Sequence, residues 1–339
     1  MQKLREFCFG QWELPPEVLE WIAKENLWNL WVPKAYGGLE LSLVDGLKKL
    51  RKLAKIDGSL GWTVTLCSGA NFFIGNLQKE VADEIFLVSK KPIFGGSGGV
   101  FGTAEKDGEG YNISGRWKYA TGAPYLSHFT LNAKILEGGK EVLTEEGASL
   151  VRSFVLRKAD VAVIKDWDTM GLKATATHSF EVESVWVDGK YSFVYDELHP
   201  PHPIFKVPFS IFADLTLWVN YIGMAAHFLE EAQKITSPNM PLYRLPTAIT
   251  RADQLIMDHA GRIQKMIADE SQVPDPLMEE IHQEASESVR SLSEGIIGAY
   301  RLLGIRAATD GHPLNHVFRD YFTATQHHIF SGSGRKNTS

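Results

Sequence analysis

Five glycines fall within the eight residues Gly95 to Gly102, and this run opens the stretch Phe94 to His128. A segment so rich in glycine can approach a flat or anionic partner closely, because no Cβ keeps the backbone away. It cannot easily continue as a helix. Alternating apolar and polar residues flank Asp107-Gly108-Glu109-Gly110, which predicts a hairpin, since glycine accepts positive φ at the turn. Ser114-Gly115 predicts a second turn leading into Arg116-Trp117-Lys118-Tyr119-Ala120-Thr121-Gly122. The glycine spacing is not Gly-x-Gly-x-x-Gly ahead of a helix, and no Gly-Lys-Ser/Thr accompanies it. Both a nicotinamide-binding Rossmann domain and a P-loop are therefore set aside.

The net charge of -6 with no basic run argues against nucleic acid or an anionic membrane as a partner. Cys8 and Cys67 are the two cysteines and lie far apart, which suggests a reducing compartment without a disulfide framework. No uninterrupted apolar run is long enough to span a bilayer, and the start MQKLREFCFG lacks a signal-peptide core. The expected location is cytoplasmic. Nine tryptophans and eighteen phenylalanines can fill a core and can also enclose an aromatic ligand.

Residues 1–91 read as an N-terminal helical domain. Pro15-Pro16 marks a helix start; a second helix spans Leu41 to Ile56 and ends at Asp57-Gly58. A third, Gly61 to Leu77, is apolar nearly all round and so should be buried. From 92 to 204 the period shortens to that of strands, with six to eight antiparallel strands expected. The proline cluster His199-Pro200-Pro201-His202-Pro203 then returns the chain to helix. Residues 205–339 read as helices over 208–236, 243–270, 277–304 and 314–329, with Ser331 to Ser339 a frayed tail. Leu277, Ile281, Ala285, Val289, Leu292, Ile296, Ala299 and Leu303 step by three or four along the third of these, the seam of a bundle helix. Helices, sheet, then helices make the fold class α+β.

The run GTAEKDGEGYNISGRWKYATGAPYLSHFTLNAKI resembles the central β-domain of the acyl-CoA dehydrogenase superfamily, where such a segment passes along a flavin ring. Val32-Pro33-Lys34-Ala35-Tyr36-Gly37-Gly38-Leu39 resembles that family's entry motif. The segment Trp167-Asp168-Thr169-Met170-Gly171-Leu172-Lys173-Ala174-Thr175 through Val187 resembles its strand pair. The three motifs are collinear over nearly the whole chain. The resemblance implies an N-terminal helical domain, a central antiparallel β-barrel or sandwich, and a C-terminal four-helix bundle. It also implies FAD or FMN at the junction of sheet and bundle.

Carried over residue by residue, Thr121 falls where a hydroxyl contacts flavin N5, and Tyr119 where an aromatic packs by the ring, with Ala120 between them. Ser97 lies near a hydroxyl that meets the pyrimidine end, although the glycine-rich loop departs there from the family pattern. Trp167 and Thr169 would flank the pocket from the second strand pair. Without the resemblance, Thr121 reads as a hairpin-end hydroxyl and Trp167 as core filling.

Acyl-CoA dehydrogenases use a carboxylate base at one of two places. One, eight residues after the Asp of Arg319-Asp320, is His328 here, followed by Ile329 instead of Gly; the other reads Ala213, with Asp214 beside it. In the two-component flavin monooxygenases of the superfamily, a His seven residues after that Asp faces the flavin, and here it is His327. A neutral imidazole there could hydrogen-bond an oxygen adduct of the flavin or deprotonate a phenolic substrate. His327 and His328 are therefore the candidate catalytic residues. His312-Pro313-Leu314-Asn315-His316-Val317-Phe318-Arg319-Asp320 resembles the monooxygenase form, with His316 where an Arg is usual. Arg319-Asp320 itself reads as a structural ion pair. Arg244 and Arg251 are substitutes for the dehydrogenase's cross-subunit FAD grip. His312, His316, His327 and His328 crowd one end, but Pro313 interrupts their spacing and no Glu-x-x-His or Cys pair joins them, so no metal is expected.

The reading favoured is a flavin-dependent oxidoreductase, leaning to a monooxygenase that takes reduced flavin from a separate reductase and acts on a small aromatic or heteroatom substrate. One alternative is an acyl-CoA dehydrogenase with a displaced base; another is a degenerate, non-enzymatic member that keeps the fold. The resemblance also implies a homodimer or homotetramer.

Overall fold

The computed structural model describes residues 2–88, 91–200, 202–236, 242 and 244–330. Pro201 and the tail 331–339 lie outside the described residues. Helix α1 spans Gln2–Cys8 and α2 spans Pro16–Lys24, with Pro16 in the first turn, where no N–H donor is needed. Helix α3, Leu43–Ile56, opens at Ser42, whose hydroxyl accepts the N–H of Asp45, and closes at Asp57. Asp57 at once caps α4, Gly58–Asn71, its carboxylate accepting the Leu60 N–H at 2.9 Å. As its composition predicts, α4 is buried on every side, because α3, α6 and the sheet all pack on it. It ends sooner than expected, passing into a 3-10 turn over Phe72–Asn76. A short α5, Lys79–Ala82, precedes the sheet.

The strands are β1 Phe94–Asp107, β2 Gly110–Ala120, β3 His128–Glu137, β4 Lys140–Glu141, β5 Val151–Arg157, β6 Ala162–Ile164, β7 His178–Asp188 and β8 Ser192–Phe193. They form one sheet in the order β6-β7-β2-β1-β3-β5-β8, with β4 attached to β3. Among the described residues no pairing joins β6 to β8, so the hydrogen-bonded path is open. The hairpin at Asp107-Gly108-Glu109-Gly110 is present, with Gly108 at φ +59°. Two expectations are corrected. The sheet is not wholly antiparallel: the turn at Ala123–Tyr125 carries the chain across to the other side of β1, so β3 runs parallel to it. Ser114-Gly115 is not a turn either. It sits inside β2 as an irregularity against β7, where the Ser114 hydroxyl accepts the Ser184 N–H at 2.9 Å.

The glycine run has a packing cause at two positions. A Cβ on Gly96 would lie 1.8 Å from the Thr130 carbonyl oxygen on β3, and one on Gly102 would lie 2.3 Å from the Trp117 indole. At these points the close partner is the protein itself.

The chain returns to helix through Pro203–Lys206. Helices α6 Phe209–Ile235, α7 Leu245–Ala268, α8 Asp275–Tyr300, α9 Ile305–Ala308 and α10 Pro313–Ala324 follow. Helix α6 is central, packing on α3, α4, α7, α8 and α10. By length and composition Phe209–Gln233 would suffice to cross a membrane, but 78% of its apolar window is buried inside the protein. The α8 seam from Leu277 to Ala299 is buried against α6 and α7, so packing within the chain already uses it. Helix α10 is shorter than expected: it caps at Thr325, leaving His327 and His328 in the following turn.

Candidate functional site

Between α4, α6 and the β1–β3–β5 part of the sheet lies a cavity of ≈ 150 Å³. A void of that size lined by apolar groups holds a benzene-sized molecule. Phe73, Phe209, Phe212, Leu66 and Leu217 form its helical side. They arrive there because α4 turns into the 3-10 segment beside the start of α6, so the Phe72 and Phe212 rings stack at 4.2 Å and Phe73 stacks on Tyr195 at 5.1 Å. The sheet side is polar but uncharged. Ser153 donates to Asn132 Oδ1 at 2.6 Å, Asn132 Nδ2 donates to the Gly98 carbonyl at 2.9 Å, and the Tyr195 hydroxyl lies 3.3 Å from Asn132 Nδ2. Ser97 and Thr121 complete that side. Among the described lining residues there is no Asp, Glu, Lys, Arg or His.

Of the cofactor residues read from the sequence, the structure brings Ser97 and Thr121 to the cavity wall. The others gather at the ends of β2 and β7. Ala120 is buried and pairs with His178, whose Nδ1 accepts the Trp167 N–H at 3.0 Å. Burial pushes the His178 imidazole down, consistent with an accepting nitrogen there. The Trp167 indole donates to the Leu172 carbonyl at 3.0 Å, and the Thr169 hydroxyl donates to the Gly171 carbonyl at 2.7 Å. Both are half-buried but do not line the cavity. Tyr119, at φ +69° and 65% exposed, points its ring outward two residues before Thr121. The hydroxyl of Thr121 lies 3.0 Å from that of Thr177, which lies 2.7 Å from that of Thr175.

His327 and His328 lie against one another with ring centroids 4.6 Å apart and planes tilted by 31°. Their expected divergence on a helix is lost because α10 ends before them. His327 packs edge-on against Trp62 at 5.6 Å and accepts the Ile329 N–H at Nδ1. It does not line the cavity, but Trp62 sits on α4 one turn ahead of Thr65 and Leu66, which do. Burial pushes the His327 imidazole down to about 4, and His328 adds to the effect. With a folded pKa below the unfolded value of about 6.5, its contribution to stability is complete above that value and is lost as pH falls toward 4. An NMR titration of the imidazole nitrogens should find His327 neutral down to about pH 5; a midpoint near 6.5 would contradict this burial.

Ala213, at one of the two base positions, lines the cavity, but Asp214 does not. Its buried carboxylate lies 3.2 Å from His282 Nδ1. The Arg319-Asp320 ion pair is corrected. Arg319 lies 3.7 Å from Asp310, whereas the buried Asp320 carboxylate accepts the Leu172 N–H at 2.6 Å and stands 3.4 Å from His316 Nε2. His316 Nε2 also reaches Asp57 at 3.1 Å. Burial alone would push His316 down, but Asp320 and Asp57 beside it raise it to about 9. The imidazolium thus replaces the guanidinium that the resemblance placed there. His312 is engaged at the start of α10, its Nδ1 accepting the Leu314 N–H at 3.1 Å.

Sequence reasoning missed Asn132, Ser153, Tyr195 and the phenylalanines of the cavity. Little in the sequence signalled them: Asn132 falls on the polar phase of an alternating strand with Thr130 and Lys134, and only the fold shows that Asn132 is buried, where an amide must find partners.

A sheet flanked by helices at both ends, with a cavity where α6 meets the sheet, is the architecture of the acyl-CoA dehydrogenases. Residues 220–332 match the family model "Acyl-CoA dehydrogenase, C-terminal domain". The part so matched, about a third of the chain, belongs to that family, and the collinear motifs carry the resemblance to the acyl-CoA dehydrogenase superfamily over the rest. The chain is 32% identical over 243 residues to an indole-3-acetate monooxygenase of Acinetobacter baumannii, covering 69% of this chain but only 60% of that enzyme. It is 25% identical over 330 residues to an indole-3-acetate monooxygenase of Pseudomonas putida, covering 92% of this chain and 82% of that enzyme. In fold it is similar to XiaF from Streptomyces sp., solved with FADH2 and glycerol, at a TM-score of 0.84 and 20% identity over 94% of this chain and 86% of that one.

Proposed function

We propose that the protein is the oxygenase component of a two-component flavin monooxygenase, acting on a small, uncharged aromatic molecule held in the cavity. The observation that carries this reading is the wall itself: aromatic and aliphatic on one side, neutral and polar on the other, with Ala213 where a dehydrogenase would place a carboxylate. The named activities of the relatives support the reaction and an aromatic substrate; their indole-3-acetate is an acid, so the uncharged class rests on the cavity wall alone. The structure accommodates a flavin in parts. The cavity is too small for a tricyclic ring with its side chain, so a flavin would lie at the rim, where the Ser97 and Thr121 hydroxyls offer polar contacts. Trp167 and Tyr119 stand along the same edge of β2 and β7. A bound reduced flavin supplies the two electrons that activate O₂. A separate reductase would deliver it. The three-part layout of 1–91, 92–204 and 205–339, and a four-helix bundle built from α6, α7, α8 and α10, belong to the same reading.

The chain's own contributions follow from the wall. Phe73 and Phe212 hold a flat ring, and a ring substituent can meet the Tyr195 hydroxyl or the Asn132 amide. The apolar side excludes water. His327, neutral and in the turn after α10, backs the rim through Trp62, which stands on α4 one turn from the wall, instead of touching the substrate. A carboxylate would be desolvated there with no cation to meet it, which costs several kcal/mol at least. The test supplies chemically reduced FMN or FADH2 and O₂ with either indole or indole-3-acetate. Product one oxygen heavier should form with indole at a kcat/KM at least about tenfold higher, since about 1.4 kcal/mol already gives that factor. Preference for the acid would overturn the substrate class, and bleaching of bound flavin by an acyl-CoA without O₂ would overturn the reaction.

A further inference from the structure

The hydroxyls behind Thr121 form a chain whose direction is determined at its far end. Thr175 Oγ1 lies 2.7 Å from the Leu172 carbonyl oxygen, which can only accept, so the single Thr175 proton is committed there. Thr177 Oγ1 stands 2.7 Å from Thr175 Oγ1, and with that proton spent the pair is bonded only if Thr177 donates. Thr121 Oγ1 stands 3.0 Å from Thr177 Oγ1, and by the same step Thr121 must donate to Thr177. All three residues are buried, with Thr175 fully enclosed. The backbone holds this order in place: the Gly122 N–H donates to the Thr175 carbonyl at 2.8 Å, and the Leu172 N–H donates to Asp320. Of the three threonines, only Thr121 lines the cavity.

We infer that the Thr175–Thr177–Thr121 hydroxyl chain makes Thr121 a hydrogen-bond acceptor, so that the site selects a reduced flavin, whose N5 carries a proton, over an oxidised one, whose N5 does not. This rests on the reading that a flavin edge seats at Thr121. Thr175 and Thr177 are then positioning residues that act through Thr121 without touching the ligand. An oxidised ring meets an oxygen lone pair with its own nitrogen lone pair and loses that hydrogen bond; a reduced ring gains one. Substituting Thr175 with valine removes the sink at the Leu172 carbonyl. The Thr177 proton can then turn toward Thr121, and the Thr121 proton is free to point at the ligand. Substituting Thr177 with valine frees the Thr121 proton directly.

The experiment measures Kd for FMN and for FMNH2, under anaerobic conditions, on the purified wild-type chain and on Thr175→Val, Thr177→Val and Thr175→Ser. The wild type should prefer FMNH2 by about tenfold or more, the effect of one satisfied against one mismatched buried hydrogen bond. Both valine variants should lose most of that preference, chiefly by binding FMN more tightly, and the serine variant should keep it. Either valine variant suffices if the other does not fold. A wild-type preference that both valine variants retain overturns the inference while leaving the proposed function intact. A wild type that binds neither FMN nor FMNH2 overturns the proposed function itself.

Discussion

Replacing Asp320 with alanine should destabilise the protein by about 3–5 kcal/mol, the usual cost of removing one partner from a buried ion pair. Asp320 is buried to 1% exposure at the meeting point of three segments, and its carboxylate serves all of them. It accepts the Leu172 N–H from the β6–β7 connection and faces His316 on its own helix; through His316 it is joined to Asp57 at the α3–α4 junction. The variant leaves an imidazolium with one counter-charge and a buried N–H with no acceptor. Urea unfolding of the two proteins decides it, and a difference under about 1 kcal/mol would mean that the cluster is worth little. The pH dependence carries a second signature. His316 is raised above its unfolded value of about 6.5, so its stabilisation is complete below that pH and is lost as pH rises through about 9. Asp320 is raised to about 6 by burial and is ionised through the upper part of that window; burial would raise Asp57 too, but the bond and the charge of His316, together with the Leu60 N–H and His227, hold it low. Arg319 and His227 also face the cluster. In the alanine variant the alkaline decline should begin at lower pH.

Substituting Gly96 with alanine should cost at least about 3 kcal/mol, at the upper end of what overpacking does, because neither neighbour can yield. The new Cβ would stand 1.8 Å from the Thr130 carbonyl oxygen, across a register in which β1 and β3 are paired directly. Gly98, two residues on, is the control. A Cβ there meets nothing within 4 Å, so its alanine variant should keep its stability to within about 1 kcal/mol. Thermal or urea unfolding of both variants separates a glycine needed for a strand from one that leaves room for a ligand. Equal stabilities would show that the glycine run serves the ligand at both positions.

Much of the molecule was legible before its structure. Pro16 marked a helix start and Asp57 a helix end through local backbone chemistry, and the all-round apolar α4 announced its own burial. The Asp107–Gly110 hairpin was legible for the same reason, since the turn lies within four residues. What failed was long-range. The parallel pairing of β1 with β3 depends on which edge the chain reaches after Ala123–Tyr125, and no residue pattern states that. Arg319-Asp320 looked like a pair because the two are adjacent, yet adjacent helical residues diverge by about 100° and Asp320 turns inward to His316. His327 was placed on a helix that stops before it, and its neighbour Trp62 is far away in sequence.

The amino-acid sequence alone determined the succession of helices, strands and helices, and the resemblance to the acyl-CoA dehydrogenase superfamily. Caps, turns and periodicity act over a few residues, and collinear motifs need no coordinates. Tertiary structure decided which side chains face the cavity. It set Asn132, Ser153 and Tyr195 together from three separate segments, and it lined up Thr175, Thr177 and Thr121 behind one carbonyl. A hydroxyl's role as donor or acceptor follows from where its proton is already spent, and that depends on which groups the fold brings within bonding distance.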